Sequence, residues 1–363
     1  MIPLDTANHA EAKRIAALYG IEIETLVLVG GGFSGACIFR VKDTSRAVFA
    51  LRRTPAADAM EADRYCELVS LLRDVRGRGC GVVPVPLRHQ QSLRGLLGTA
   101  HPSVCENVDL SQTRLRTQEF VWQMEPWMPG EPAHGPPSSQ QLESTLEALE
   151  LFHKFAVESV QARVNSHRLR IATEHSPGIL RRIEIATELS NGLLARFLKA
   201  AASEPDPEFC SCAKRLCAAL EYWLPWLTKQ LTEVAHVSYR LQPVIRDLWR
   251  PHVLFTEDRV TGIIDLNAMA TDHVGLDATR LFRSWYGADV DRIREAINLF
   301  CVRRSLDATE RRLLAVYDAS TVLLSPVTWL RRRFTNANSA SIAQEGVQRV
   351  AELTTLAERF EPL

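Results

Sequence analysis

Apolar and polar positions change their period along this chain, and the changes divide it. Residues 7–19 place apolar side chains at helical spacing, after which IEIETLVLVGGGFSGACIFRV and AVFALRR read as three β-runs, the first two joined by a glycine-rich turn. Residues 56–74 return to helical spacing, VVPVP breaks the pattern, and QEFVWQM reads as another strand. The segment 128–140, MPGEPAHGPPSSQ, is the richest in Pro, Gly and Ser and marks the best boundary. Beyond it Leu142, Leu146, Leu149 and His153 share one helical face, and Leu/Ala-rich helical patterns fill 176–235 and 290–360. Only the stretch around 244–266 interrupts them with strand-like runs. The pattern therefore predicts an α+β chain: a small β-rich lobe over 1–127, a linker at 128–140 and a larger, mainly helical lobe over 141–363.

Composition narrows the partners. At 363 residues the chain can bury the core of two lobes, and Lys+Arg balance Asp+Glu at 43 each, which argues against a polyanion such as nucleic acid. The run Arg331–Arg333 reads as a solvated helix end. The start, MIPLDTANHAEAKRIAAL, lacks the charged and apolar regions of a secretory signal, and no stretch approaches the roughly 18 apolar residues of a membrane span. Eight cysteines without an export signal predict reduced thiols and a cytoplasmic protein. Cys210, Cys212 and Cys217 lack the C-x2-C pairing of a zinc site and read as small residues on a helix.

Gly30, Gly32 and Gly35 spell G-x-G-x-x-G. A dinucleotide site needs a helix directly after such glycines, but ACIFRV has a strand period, and no GK[ST] follows to make a Walker loop. A glycine loop between antiparallel strands is the arrangement that covers nucleotide phosphates in kinases; a plain glycine hairpin explains the letters equally well. Two companions favour the first reading. Arg52 lies on the third strand, where kinases carry a cation for the α/β-phosphates, and Glu67 follows in a helical run where it could pair with that cation, with Glu61 as its competitor.

The stretch VIRDLWRPHVLF (244–255), then TEDR and VTGIID, places Asp247, His252 and Asp265 in the order and spacing of a kinase catalytic loop: a base for the acceptor hydroxyl, a metal ligand five residues on, and a metal-holding aspartate on the next strand pair. With these residues the chain resembles the aminoglycoside phosphotransferase/choline kinase-like family, whose hallmark is a His-Gly-Asp-x-x-x-x-Asn loop followed by a strand, a turn and an Ile-Asp. The resemblance covers roughly residues 20–290. It implies a bilobal protein-kinase-like fold, ATP with Mg²⁺ (Mn²⁺ as the alternative), and phosphoryl transfer to a hydroxyl of a small molecule. It further implies that Asp247 is the catalytic base, that Asp265 and His252 face the metal, and that the hinge phrase WQMEPWMPGE receives the adenine on its backbone near Gln123–Glu125. Asp277, in LDATRL, matches a downstream structural Asp-x-Ala, and His153, in FHKFA, a packing histidine.

Three positions depart from the pattern. Ile245 and Arg246 replace the motif His-Gly, Arg52 replaces the usual lysine while keeping its charge, and His252 replaces asparagine. An imidazole suits Mn²⁺, Fe²⁺ or Zn²⁺ better than Mg²⁺. His252 therefore ligates a softer metal, donates to a phosphate or to Asp265, or marks a lost second metal. Charge balance beyond residue 286 argues against a polycationic aminoglycoside as acceptor, and Trp285, Tyr286 and Trp329 are either pocket-lining or packing residues. A nucleotide-binding pseudokinase is the alternative to an enzyme; a helical interaction protein that keeps only the fold is the third reading. Oligomeric state is left open.

Overall fold

The computed structural model describes residues 6–31, 36–89, 113–162, 168–335 and 344–363. Its contacts group into two compact units that are discontinuous in sequence. Unit 1 comprises Met1–Glu131, Lys154–Arg168 and Leu254–Asn267; unit 2 comprises Pro132–His153, Leu169–Val253 and Ala268–Leu363.

Unit 1 is built on helix α1 (Thr6–Leu18), strands β1 (Ile23–Gly31), β2 (Cys37–Asp43) and β3 (Val48–Pro55), helix α2 (Ala62–Gly77), and strands β4 (Arg114–Arg116) and β5 (Phe120–Pro126). The strands form one five-stranded sheet in the order β1-β2-β3-β5-β4, with antiparallel neighbours. Strand alternation puts Phe39, Val41, Leu51, Trp122 and Met124 on the face that α1 covers with Ala12, Ile15 and Ala16. Each large side chain so buried contributes about 1.5–3 kcal/mol. Helix α2 starts later than its apolar spacing suggests. The Asp58 N–H closes a turn onto the Pro55 carbonyl (3.0 Å), and Glu61 stays extended at the N-cap (φ −53°, ψ 144°), so residues 56–61 do not join the helix.

A hairpin of β9 (Val253–Thr256) and β10 (Arg259–Ile263) pairs with the short strand β6 (Glu131–Pro132). Two glycines fit it together. Gly130 has φ +94°, and a Cβ there would lie 2.5 Å from the Phe255 carbonyl oxygen; a Cβ on Gly262 would meet Met128 Cβ at 2.8 Å. The Pro-Gly linker phrase and the Gly262 of the IID run are thus parts of one packing problem.

Unit 2 is mainly helical. Helix α3 (Ser139–Gln161) begins in it, followed by β7 (Ala172–Glu174), α4 (Pro177–Glu188), α5 (Leu194–Ala202), α6 (Pro207–Ala235), β8 (Tyr239–Val244), β11 (Ala270–Asp272), α7 (Gly275–Tyr286), α8 (Val290–Arg303), α9 (Ala308–Leu324), α10 (Val327–Phe334) and α11 (Gln344–Glu358). The strands make a small sheet in the order β11-β8-β7. The helical pattern over 176–235 is not one rod. Asn191 and Gly192 (φ +101°) leave helical geometry, and Asp206 restarts the helix by accepting from the N–H groups of Glu208 and Phe209 ahead of Pro207. Cys212 and Cys217 are buried in α6, Cys210 is half-buried, and the described cysteines are all free thiols. Contrary to the expectation from sequence, one stretch, Ala308–Phe334, is long and apolar enough to cross a membrane by composition; 78% of its apolar window is buried, with Leu313, Leu323 and Leu330 in the unit 2 core.

Candidate active site

In unit 1 the two strongest charges of the expected nucleotide site meet. Arg52 on β3 donates from Nη2 to Asp265 Oδ1 at 2.9 Å. Asp265 follows β10 at φ +59°, a left-handed turn that aspartate tolerates better than most residues. Across the sheet Arg52 is opposite Gln123, and Glu125 lies two residues further along β5 on the same face; Gln123 Nε2 donates to Glu125 Oε2 at 3.1 Å. These four side chains line one small pocket with Leu266, Asn267, the α2 residues Tyr65, Leu68, Val69 and Leu72, and Pro84 and Pro86. Part of Glu125 reaches the surface, yet the atoms packed around its carboxylate desolvate it and push its pKa up. Arg52 opposes that shift and Asp265 adds to it.

The acids of α2 go elsewhere. Glu67 Oε1 accepts from the Arg168 backbone N–H (3.2 Å), and Glu61 Oε2 receives the Arg168 guanidinium (2.7 Å), which holds the exposed Glu61 carboxyl below its ordinary range. The ion partner of Arg52 among the described residues is Asp265, so the structure brings together Arg52, Gln123, Glu125 and Asp265 and does not bring Glu67 to Arg52.

Strands β1 and β2 are antiparallel and end at the Gly31–Cys37 pair, so the glycine run connects two strands and does not open a helix. Gly30 is in β1 with open space where a Cβ would stand; Gly32 and Gly35 lie outside the described residues. The backbone at Gln123–Glu125, expected to receive adenine, is inside the sheet: β3 pairs with it along its length, β4 pairs with Gln123, and the Met124 carbonyl accepts the Leu87 N–H at 2.8 Å.

In unit 2 the loop after β8 carries the expected base, and a buried acid shapes it. Asp277 on α7 accepts the N–H groups of Ile245 (Oδ2, 2.9 Å) and Arg246 (Oδ1, 2.7 Å), and His153 Nε2 stands 2.9 Å from the same Oδ2. Both His153 and Asp277 are fully buried. Burial lowers the His153 pKa against the pull of Asp277, so the ring is neutral and must donate from Nε2. His153 is therefore more than packing: it completes the anchor of the loop. Arg246, in the place of the motif glycine, is held at φ +68°, a conformation that explains why glycine suits this position.

Asp247 projects from this anchor. Its Oδ1 receives Arg280 Nη2, while Oδ2 has no hydrogen-bond partner among the described residues, leaving an acceptor oxygen for a hydroxyl. His252 is buried under the loop with both ring nitrogens engaged. Trp249 Nε1, which can only donate, bonds to Nε2 at 2.8 Å, so the ring's proton sits on Nδ1 and is donated to the Asp247 carbonyl at 2.8 Å. For His252 to ligate a metal, Nε2 would have to leave Trp249. Among the described residues no group of three or more His, Cys, Asp or Glu could hold a metal ion.

Arg280 was not foreseen from sequence, although a signal existed: it lies three residues after Asp277 and so shares its helix face. Trp285 is buried, Tyr286 half-buried, and Trp329 packs against the unit 2 core.

Unit 1 carries a strand-borne cation paired with an aspartate, and unit 2 carries an anchored loop presenting a carboxylate; both kinds of group are found in kinase-like phosphotransferases. The profile of the phosphotransferase enzyme family matches residues 25–300, and the chain belongs to that family. Solved structures share the fold. A spectinomycin phosphotransferase in complex with ADP and spectinomycin superposes with a TM-score of 0.62 at 14% identity, covering 97% of this chain and 98% of that one. An amicoumacin kinase in complex with AMP-PNP and Ca²⁺ gives 0.60 at 12%, covering 98% and 94%. An aminoglycoside phosphotransferase from Alicyclobacillus acidocaldarius gives 0.53 at 12%, covering 95% and 91%. A search of curated proteins found no match.

Proposed function

We propose that this chain is an ATP-dependent phosphotransferase acting on a hydroxyl of a small molecule. The observation that carries the reading is the Arg52–Asp265 pair beside Gln123 and Glu125. A cation and a carboxylate meeting at a strand end are the two charges a metal–nucleotide complex needs, one for its phosphates and one for its metal. Asp265 is the residue to hold a divalent cation, Mg²⁺ or Mn²⁺, which when bound neutralises phosphate charge. Arg52 is the residue to bind the phosphates, with the glycine run at Gly30, Gly32 and Gly35 covering them. The backbone of the phrase WQMEPWMPGE is the candidate for the adenine edge, and the side chains of Gln123 and Glu125 set the polarity of the pocket.

Asp247 Oδ2 is the acceptor for the substrate proton. In the transfer, the hydroxyl oxygen forms the new O–P bond, the bond from the γ-phosphorus to the bridging oxygen breaks, that oxygen leaves on ADP with the electron pair, and the hydroxyl proton passes to Asp247. His252 keeps the loop in shape through the Asp247 carbonyl, the work of a positioning residue. The test is nucleotide consumption across a library of hydroxylated metabolites with Mg²⁺ or Mn²⁺, run on the parent and on Asp247→Asn. The variant should keep nucleotide affinity and lose about 10²–10⁴-fold in turnover. Equal turnover removes Asp247 from the mechanism. Nucleotide binding by the parent without turnover would make the protein a non-catalytic nucleotide binder.

A further inference from the structure

Unit 2 carries a group of arginines that act on one another, one of which binds Asp247. Arg280 binds Asp247 directly, and its Nε is buried without a hydrogen-bond partner among the described residues. Arg246 precedes Asp247 in the loop. Arg182 comes from the middle of α4, which Ser176 caps and Pro177 opens. Gly178 lets the next turn close: its N–H reaches Asp272 Oδ2 at 2.9 Å, where a Cβ would stand 2.5 Å from that oxygen. Arg182 Nη1 then donates to the Gly178 carbonyl (3.0 Å), and its guanidinium lies 5.1 Å from the centre of the Tyr317 ring.

Among the described residues no carboxylate forms an ion pair with Arg182 or Arg246. Asp272 is already surrounded by Ser176 Oγ, Tyr317 OH and the N–H groups of Gly178 and His273. Burial lowers the Arg182 pKa, and the charges of Arg280 and Arg246 lower it further, against the pull of Tyr317 and Asp272. Of the three guanidiniums, Arg280 alone pairs with a carboxylate among the described residues, and that carboxylate is Asp247, the proposed base. Like charges that act on one another oppose the burial of each. An anion would relieve them, and the planar fork of arginine fits carboxylate and phosphate oxygens.

We propose that the acceptor is an anionic hydroxylated small molecule, its carboxylate or phosphate held by Arg182, Arg246 and Arg280 while its hydroxyl meets Asp247. The proposal rests on the phosphotransferase reading and deepens it. It also separates this chain from any relative whose acceptor is a polycation, since the same arginines would repel an ammonium group.

Titration calorimetry tests it in two stages on the full chain. AMP-PNP with Mg²⁺ is titrated first. With AMP-PNP saturating, gluconate, glucose 6-phosphate, glucose and glucosamine follow. Gluconate or glucose 6-phosphate should bind at least about tenfold more tightly than glucose, with glucosamine weakest, and whichever anion wins separates carboxylate from phosphate. Arg182→Gln and Arg246→Gln should each lose about tenfold in that anion's affinity, while Arg182→Lys keeps most of it; thermal melts confirm that the variants fold. If AMP-PNP does not bind, the phosphotransferase reading fails and takes this proposal with it. If AMP-PNP binds but no anion exceeds glucose, or both Gln variants bind the anion like the parent, the anionic acceptor alone is overturned.

Discussion

The two charged regions of this molecule solve different electrostatic problems. In unit 1, Arg52 faces Asp265 and Glu125, so one cation is set against two acids, and burial makes the second acid reluctant to ionise. In unit 2, Arg280 binds Asp247, while Arg182 and Arg246 form no ion pair among the described residues. An acid-rich pocket has a deficit that a metal cation fills; an arginine-rich loop has one that an anion fills. The contrast is the ground for proposing the cation in one region and a negatively charged acceptor in the other, and each of the following changes perturbs one side of it.

The largest structural effect belongs to the anchor of the unit 2 loop. Asp277→Ala strands the N–H groups of Ile245 and Arg246 and the buried His153, and should cost about 3–5 kcal/mol, the range for breaking a buried polar pair. Thermal unfolding measures it, and a change in melting temperature no larger than that of a surface substitution would remove Asp277 from the loop's support.

His252 comes next. As a clamp, it should tolerate asparagine, whose amide can still donate to the Asp247 carbonyl, better than alanine. His252→Ala should lower turnover by about tenfold, the loss of one ordinary hydrogen bond of ~1–1.5 kcal/mol. Both variants should keep the parent's ratio of Mn²⁺ to Mg²⁺ activity. A shift of that ratio toward Mg²⁺ in His252→Asn would instead identify the imidazole as a metal ligand.

The smallest effect tests the unit 1 pocket. Because burial raises the Glu125 pKa above its ordinary 4.5, the folded chain holds this proton after the unfolded chain has released it. Stability therefore falls as pH rises from about 4.5 through the raised value, and stays reduced above it. Glu125→Gln should raise the neutral-pH melting temperature by on the order of a few degrees, and the gain should disappear as pH falls to the ordinary carboxylate value. A variant less stable than the parent at pH 7 would mean that the charge of Glu125 is favourable where it stands.

Much of this was legible in the sequence because nucleotide chemistry fixes both residue type and spacing. Asp247, His252 and Asp265 were read from one short run, Arg52 from its strand, and the β-rich and helical regions from the change of period. What escaped has a physical reason in each case. Glu67 has the right helix and offset, but a half-buried helical carboxylate takes whatever donor lies nearest, here the Arg168 backbone. Glu125 looked like a hinge backbone position, since nothing in WQMEPW says that its side chain turns toward Arg52; only the β3–β5 register shows that. Arg280 was readable from its place three residues after Asp277, but Arg182 lies on a helix far from the loop in sequence and carries no local mark of its own. Gly192 and Asn191 break a helical pattern whose apolar period continues through them.

The central claim is that Asp265 holds the divalent cation of a bound nucleotide. Calorimetric titration of AMP-PNP into the parent and into Asp265→Ala, each with and without Mg²⁺, tests it most directly. The parent should bind more tightly with Mg²⁺ than without. Asp265→Ala should lose that dependence on the metal, with a drop of at least about tenfold in the Mg²⁺ arm, since one charge-assisted contact is worth ~1.5–3 kcal/mol. Identical Mg²⁺-dependent affinity in parent and variant would contradict the account, because the Arg52–Asp265 pair would then be an ion pair of the fold and not the floor of a nucleotide site.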